Sequence, residues 1–166
     1  MRKVGGAGKL SRRVWRRMGL TLLVTFTALA ALPAQADPGV RTLRGTLTEQ
    51  AFTEGCTSPV NLCAAGEVKG GIHGPLELTV DSMTPTSNPD IVFLETSYVI
   101  HTNQGDLFFS GNTLLNTETG DFSALDTITG GTGKWEGTTG VLVASGNFNS
   151  VTGVGEADYE ATIDKA

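Results

Sequence analysis

The stretch IVFLETSYVIHTNQGDLFFSGNTLL, residues 91–115, determines the fold class that this sequence predicts. It holds two runs rich in β-branched and aromatic residues, 91–102 and 106–115, a composition typical of β-strands. The segment NQGD, residues 103–106, separates the runs and contains Asn, Gly and Asp, which favour turns. Because so short a link has no room for a crossover helix, we expect the two strands to pair antiparallel.

The same pattern extends outward over the chain from residue 40 to residue 163. Further strand-like runs cover residues 40–52, 67–83, 121–128, 140–148 and 153–163, and residues 134–137 form a short strand or bend. Glycine, asparagine, aspartate and proline separate these runs, and no long window after residue 36 shows helical periodicity without an interrupting Gly or Pro. The sequence therefore predicts an all-β fold, an eight-stranded antiparallel up-and-down β-barrel, with a β-sandwich as the alternative. Frequent glycines within the strands favour the barrel, where strands coil tightly.

Residues 1–36 differ in character from the rest of the chain. They contain seven of the Lys and Arg residues and no Asp or Glu, and the run MGLTLLVTFTALAAL, residues 18–32, is uncharged. Ala34 and Ala36 then form an A-x-A pattern, typical of a cleaved export signal peptide. We expect cleavage after Ala36, leaving residues 37–166 as one domain. The pair Arg12-Arg13 leaves both the general secretory and the twin-arginine route open, and either route places the domain in the periplasm or outside the cell.

The predicted mature domain is strongly acidic. Residues 37–166 hold all 17 acidic residues and only five bases, Arg41, Arg44, Lys69, Lys134 and Lys165, for a net charge of −12. Nucleic acids and anionic lipids are bound by clustered Lys and Arg, which this domain lacks. We therefore predict no nucleic-acid partner and no membrane association after signal cleavage.

The two cysteines of the chain, Cys56 and Cys63, lie close together in the segment CTSPVNLC. An even count in an exported domain predicts a structural disulfide. A redox or metal pair is the alternative, but the spacing is not C-x-x-C and no histidine lies nearby. His73 and His101 fall on different predicted strands, so we predict no metal site.

Candidate functional residues are polar side chains on the apolar face of a predicted strand. Glu49 shares a face with Leu47, and Asp126 shares one with Ala124 and Ile128. An apolar environment disfavours the charged form of a carboxyl group, which raises its pKa and suits it to proton transfer. We therefore predict Glu49 and Asp126 as catalytic residues. The alternative is that either is solvated at a barrel mouth or bonded to a backbone turn.

Two tyrosines also lie on apolar faces. Tyr98 shares its face with Leu94 and Ile100, and Tyr159 shares its face with Ala161. A tyrosine that points inward supplies apolar area and one hydrogen-bond donor. We predict both tyrosines as ligand-binding residues, and core filling is the alternative.

The segment ITGGTGKWEGTTG, residues 128–140, resembles one that plant dirigent proteins and allene oxide cyclases share. The chain is also similar to small secreted bacterial proteins with the same barrel, in TEQ at 48–50, the Cys…Ser-Pro-Val…Cys loop and GDL at 105–107. The resemblance covers about residues 41–164 and implies an eight-stranded barrel with a central cavity. Trp135, which follows the glycines, is placed to close a barrel end, and we include it among the predicted ligand-binding residues.

The resemblance implies chemistry without a metal or an organic cofactor, in which the cavity shapes a reactive intermediate. One predicted function is a secreted barrel that cyclises, isomerises or sterically steers a small apolar substrate. The other is a non-catalytic extracellular barrel that binds a small ligand or has a structural role, and the sequence leaves open whether the protein is an enzyme. The resemblance also implies a homo-oligomer.

Overall fold

The computed structural model describes residues 39–165 and shows a closed barrel of eight antiparallel strands. The strands are β1 (Val40–Phe52), β2 (Cys63–Gly70), β3 (Gly74–Pro85), β4 (Ile91–Thr102), β5 (Gly105–Asn116), β6 (Asp121–Gly131), β7 (Thr138–Asn149) and β8 (Val154–Lys165). Each strand pairs with the next along the chain, and β8 pairs with β1. The predicted up-and-down barrel is confirmed, and the alternative of a β-sandwich is wrong. The export signal predicted for residues 1–36 lies outside the described residues.

Two of the predicted runs differ from the structure by more than a shift of one to three residues at an end. The run 67–83 is interrupted, because Gly70 and Gly74 adopt φ values of 113° and 154° that L side chains rarely take. The chain reverses between these glycines, so the run becomes the end of β2 and most of β3. Residues 134–137, predicted as a short strand or bend, form no strand; a 3₁₀ turn, Gly133–Trp135, and the turn at 136–137 link β6 to β7.

Burial alternates along the strands as expected for side chains that point to opposite faces of a sheet. On β8, Ala157, Tyr159 and Ala161 are buried, whereas the intervening Asp158 and Glu160 are exposed. The acidic residues of this strand therefore lie on the outer surface, and its small and aromatic residues face the lumen.

One end of the barrel, which we call the packed end, is filled by apolar side chains. It lies at the β2–β3, β4–β5 and β6–β7 connections and is occupied by Ile72, Ile100, Leu107, Ile128, Trp135 and Ile163, all buried. The indole N–H of Trp135 donates a hydrogen bond to Thr102 Oγ1 at 2.9 Å. The single polar atom of this large side chain is thus satisfied, as burial requires.

The opposite end, which we call the open end, carries the β1–β2 loop, residues 53–62. Cys56 and Cys63 form a disulfide that closes this loop, as predicted. Ser58 donates a side-chain hydrogen bond to the carbonyl of Val80, and the N–H of Val80 donates to the carbonyl of Leu62 at 3.0 Å. These bonds hold the loop against β3. A disulfide of this kind fits an oxidising, extracellular compartment.

None of the residues from 39 to 165 forms a helix long and apolar enough to cross a membrane.

Candidate functional site

The open end of the barrel contains a cavity of about 110 Å³, which we call the lumen cavity. Four alanines on the strands make room for it, since they occupy inward positions where the packed end has larger side chains: Ala51, Ala64, Ala124 and Ala144. Most of the other walls are apolar, including Leu47, Leu76, Leu94, Phe122, Leu142 and Phe148. The polar exceptions are Glu49, Thr96, Tyr98, Thr113, Asp126 and Tyr159. The structure thus brings four of the five predicted site residues to one cavity.

Glu49 reaches the cavity from β1, where glycine partners on both neighbouring strands leave it space. It lies opposite Gly66 on β2 and Gly155 on β8. A methyl group at Gly155 would lie only 2.8 Å from Glu49 Cγ, so the carboxylic side chain occupies the volume that this glycine leaves free. Burial raises the pKa of Glu49, and the negative charge of Asp126 raises it further. Within residues 39–165, the Glu49 carboxyl group makes no hydrogen bond.

Asp126 enters the cavity from β6 and is 4% exposed. It lies opposite Gly111 on β5, where a methyl group would come within 1.8 Å of Asp126 Oδ1. Its other oxygen, Oδ2, accepts a hydrogen bond of 2.9 Å from the hydroxyl of Tyr98. Burial raises the pKa of Asp126 to about 6, and the hydrogen bond from Tyr98 opposes this rise by stabilising the carboxylate.

Tyr98 lies on β4 and is fixed by an aromatic neighbour. Its ring stacks on Phe109 of β5, with 4.6 Å between ring centroids and an interplanar angle of 6°. Burial, together with the charges of Asp126 and Glu49, raises the pKa of the Tyr98 phenol well above its ordinary value. The phenol therefore keeps its proton and acts as a constant hydrogen-bond donor to Asp126.

The charged forms of the ionisable groups that line the lumen cavity are all negative. Among the residues that the structure describes, no Lys, Arg or His lines the lumen cavity. The two carboxyl groups, Glu49 and Asp126, therefore lose their protons without a neighbouring cation to compensate them. The hydrogen bond from Tyr98 stabilises the Asp126 carboxylate, and the negative charge of Asp126 raises the pKa of Glu49.

Tyr159 lines the cavity with its ring, but its hydroxyl is occupied elsewhere. The hydroxyl accepts a hydrogen bond of 2.8 Å from the N–H of Ile72 and donates one of 3.1 Å to the carbonyl of the same residue. A methyl group at Gly45, its partner on β1, would lie 2.8 Å from this oxygen. Burial raises the pKa of Tyr159, so this proton also stays in place. The phenol anchors the β2–β3 connection, and only the ring is available to a ligand.

Trp135 is the one predicted ligand-binding residue that does not line the lumen cavity. It is buried at the packed end, where its side chain fills the barrel and its N–H is bonded to Thr102. The 3₁₀ turn after the glycines directs it there. Trp135 therefore closes a barrel end, as its place after the glycines predicts, and it does not line this cavity.

Thr96 is a polar cavity residue that the sequence analysis missed. It is 5% exposed, and its hydroxyl makes no hydrogen bond to any residue within 39–165. A methyl group at Gly111 would lie 2.9 Å from Thr96 Oγ1, which places this hydroxyl beside Asp126. Strand alternation does indicate this position, because Thr96 shares the inward face of β4 with Tyr98.

His101 lies on the outer side of β4, away from the cavity. Its Nδ1 is 2.9 Å from Asp106 Oδ1, and its side chain is 41% exposed. Within the described part of the chain, no group of three or more His, Cys, Asp and Glu side chains is arranged to hold a metal ion. Comparison of the chain with protein-family models, curated proteins and solved structures found no match.

Proposed function

We propose that this protein is an exported, cofactor-independent enzyme that binds a small, largely apolar molecule in the lumen cavity and transfers a proton on it, as an isomerase or cyclase does. The observation that carries the proposal is the presence of two carboxyl groups with raised pKa, Glu49 and Asp126, in an otherwise apolar cavity. Buried carboxyl groups of this kind are characteristic of proton-transfer sites. The resemblance to allene oxide cyclases and dirigent proteins supports the same class of function.

In this proposal Glu49 is the group that accepts and returns the proton. Its carboxyl group has no hydrogen-bond partner within residues 39–165 and is therefore free to bond to a substrate. The raised pKa places its proton affinity closer to neutral pH, where a general acid or base is most effective. In an isomerisation, Glu49 would take a proton from one carbon of the substrate and return it to another, so that no net atom is gained or lost.

Asp126 has the role of setting the proton affinity of Glu49. Its negative charge raises the pKa of Glu49, and the hydrogen bond from Tyr98 holds this carboxylate in a fixed position. The apolar walls exclude water and strengthen both interactions, because charges attract and repel more strongly where the dielectric constant is low.

The size of the cavity limits the substrate. A cavity of 150 Å³ in another protein accommodates benzene, whereas drug-sized ligands occupy about 300–1,000 Å³. At about 110 Å³, the lumen cavity suits a small molecule or one end of a longer molecule that projects from the open end. The half-buried residues Ala51, Leu115 and Phe148 lie where such a molecule would emerge.

Export is proposed from two separate features. The pattern of residues 1–36 is that of a signal peptide, and the Cys56–Cys63 disulfide suits an oxidising compartment. Whether the signal uses the general secretory or the twin-arginine route is decided by replacing Arg12-Arg13 with Lys-Lys, which blocks export only in the second case.

The activity can be tested with the ligand that the protein carries. Protein purified from its natural host is analysed by native mass spectrometry, and the released molecule is identified and returned to the protein in D₂O. We expect the wild-type protein to incorporate deuterium into the molecule or to convert it. We expect the Glu49→Gln variant to do so at least about 100-fold more slowly, the usual contribution of a general acid or base. Glu156→Gln, on the exposed face of β8, is the matched control.

The Asp126→Asn variant separates the two roles. If Asp126 sets the pKa of Glu49, its loss shifts the pH profile of the reaction toward acid while leaving a measurable rate. A ligand that binds but is neither converted nor exchanged with D₂O would favour the alternative function, a non-catalytic ligand-binding barrel. Full activity in both Glu49→Gln and Asp126→Asn would refute the assignment of these residues.

A further inference from the structure

This inference rests on the proposed function and concerns the chemical class of the substrate. We propose that the lumen cavity selects molecules in which a small apolar body carries a protonated amine, in preference to neutral or anionic molecules of the same size. Three observations support it: the sign of the charge in the cavity, an unpartnered hydroxyl beside a free carboxylate oxygen, and the aromatic side chains around them.

The first observation is that the polar groups of the cavity complement a cation. Its ionisable groups are Glu49 from β1, Tyr98 from β4, Asp126 from β6 and Tyr159 from β8, and no Lys, Arg or His within residues 39–165 joins them. An anionic ligand would add a further negative charge to a poorly solvated space, where like charges repel strongly. A cation would instead neutralise the carboxylates, as buried charges require.

The second observation is the geometry around Gly111. Asp126 Oδ2 is bonded to Tyr98, which leaves Oδ1 free to accept a further hydrogen bond. A methyl group at Gly111 would lie 1.8 Å from this Oδ1 and 2.9 Å from Thr96 Oγ1, so both oxygens lie next to this glycine. Thr96 is 5% exposed and has no partner within residues 39–165. An ammonium group, with three N–H donors and no acceptor, can donate to both oxygens at once.

The third observation is the presence of aromatic rings in the cavity wall. Phe122 and Phe148 line the cavity, and Tyr98 lines it with a ring that is held by stacking on Phe109. The faces of aromatic rings attract cations, and more strongly where water is excluded. The leucines and alanines of the remaining wall contact the apolar body of the ligand.

The proposal gives the two carboxyl groups different roles. Asp126 and Thr96 bind the ammonium group, and Glu49 keeps its carboxyl group free for the proton transfer of the proposed function; the charge of Asp126 raises the pKa of Glu49 in the free protein, and the bound ammonium group offsets this effect. Amine selection is therefore a property of Asp126 and Thr96, and it can be measured without any catalysis.

The test uses three probes of nearly equal size that differ in charge: butylamine, 1-butanol and butyrate. Each is titrated into the full mature protein, and binding is followed by the amide chemical shifts of Thr96, Gly111 and Asp126 in ¹H–¹⁵N spectra. At about pH 8, above the pKa of about 6 of Asp126, we expect butylamine to bind at least about tenfold more tightly than butanol and butyrate not to bind. At about pH 5 only about a tenth of Asp126 is ionised, so we expect the affinity for butylamine to fall about tenfold while that for butanol does not fall.

Variants locate the effect. In the double variant Glu49→Gln/Asp126→Asn, which keeps the side-chain volumes, we expect butanol to bind as before and the preference for butylamine to disappear. The retained binding of butanol also shows that the cavity has formed. The control is Glu156→Gln/Asp158→Asn, which removes the same two charges from the exposed face of β8 and should leave the preference unchanged. Thr96→Val should reduce the preference for butylamine more than it changes the affinity for butanol.

The outcomes separate the two proposals. Equal binding of butylamine and butanol, binding of butyrate, or an amine preference that survives the double variant would overturn amine selection while leaving the proposed function in place. Entry of none of the three probes into the cavity would overturn amine selection and also count against the proposed function.

Discussion

The packed end and the open end of the barrel are built from the same strands but differ in what those strands place inside. On β6, Ile128 contributes to the packed end, whereas Ala124 and Asp126, on the same face, line the lumen cavity. Strand alternation decides which residues point inward, and it is interrupted where the register shifts, in the β3–β4 and the β5–β6 pairings. The size and polarity of each inward residue then decide whether that level is filled or hollow. A cavity therefore needs no change of fold, only small and polar residues at one end.

The two ends also differ in their effect on the stability of the fold. The packed end buries large apolar side chains and satisfies the one indole N–H of Trp135, which is the arrangement that stabilises a fold. The open end buries carboxyl groups, which opposes folding because their charged forms lose solvation. Sites of function commonly carry such a cost, and the rest of the structure compensates for it.

The largest expected effect comes from truncating the packed end. Trp135→Ala removes a buried aromatic side chain, and we expect the free energy of unfolding to fall by about 4 kcal/mol. Phe148→Ala, at the half-buried rim of the cavity, should cost less than half as much because its side chain already borders empty space. Urea unfolding of both variants measures the difference. Equal losses would show that the two ends do not differ in packing as described.

The next effect is a pH dependence of the free energy of unfolding, which arises from Asp126 at the open end. Because the folded-state pKa of Asp126 is raised, its stabilising neutral form is fully present below about pH 4 and is lost as the pH rises through about 6. We expect this to lower the stability of the wild-type protein by about 3 kcal/mol between these limits. Asp126→Asn should remove most of this slope in urea unfolding at several pH values, leaving the part due to Glu49. Asp158→Asn, on the outer face, is the control; if it flattens the slope equally, surface repulsion is the cause.

Removal of the disulfide should affect the open end locally. The Cys56–Cys63 bridge has a sequence separation of 7. Loop-closure entropy gives about 2.5 kcal/mol for such a short ring. In the double variant Cys56→Ala/Cys63→Ala we expect amide hydrogen exchange to increase most in residues 53–62 and less at Leu107 and Ile128, where it reports only the loss of global stability. An equal increase at both ends would mean that the loop opens only when the whole barrel unfolds.

The smallest effect tests the space reserved for Asp126. Gly111→Ala places a methyl group 1.8 Å from Asp126 Oδ1, so one of the two must move. We expect a loss of about 2 kcal/mol, typical of overpacking. The double variant Gly111→Ala/Asp126→Ala should be more stable than the sum of the single changes indicates, as measured by a double-mutant cycle. Additive effects would contradict the close contact between residue 111 and Asp126.

Much of the fold follows from local patterns in the sequence. Alternation and turn residues predict β1 and β4 with the bounds that the structure has, and they place Glu49, Tyr98 and Asp126 on inward faces. These predictions hold because alternation is a property of a single strand. Gly70 and Gly74 break the run 67–83 in a way that the sequence does not show, since a glycine permits a positive φ but does not require one.

The parts of the site that sequence reasoning missed depend on contacts between distant strands. The role of Trp135 depends on the 3₁₀ turn that directs it to the packed end, and the hydroxyl of Tyr159 is occupied by Ile72, 87 residues away in the sequence. Thr96 does not stand out in the sequence because threonine is common in strands, and its position near Asp126 and Gly111 is what distinguishes it. Cavity volume likewise depends on how all eight strands pack together.

The pairing of β1 with β8 has one more consequence. Val40 lies opposite Asp164, so the first and last strands of the barrel are far apart in the sequence but adjacent in space. A short linker between residues 165 and 39 would close the chain into a ring in which every neighbouring pair of strands is joined. Cutting that ring within residues 117–120, at the open end, would then yield a circular permutant with the same eight ladders. We expect this permutant to fold into the same barrel, because all eight strand pairings are kept.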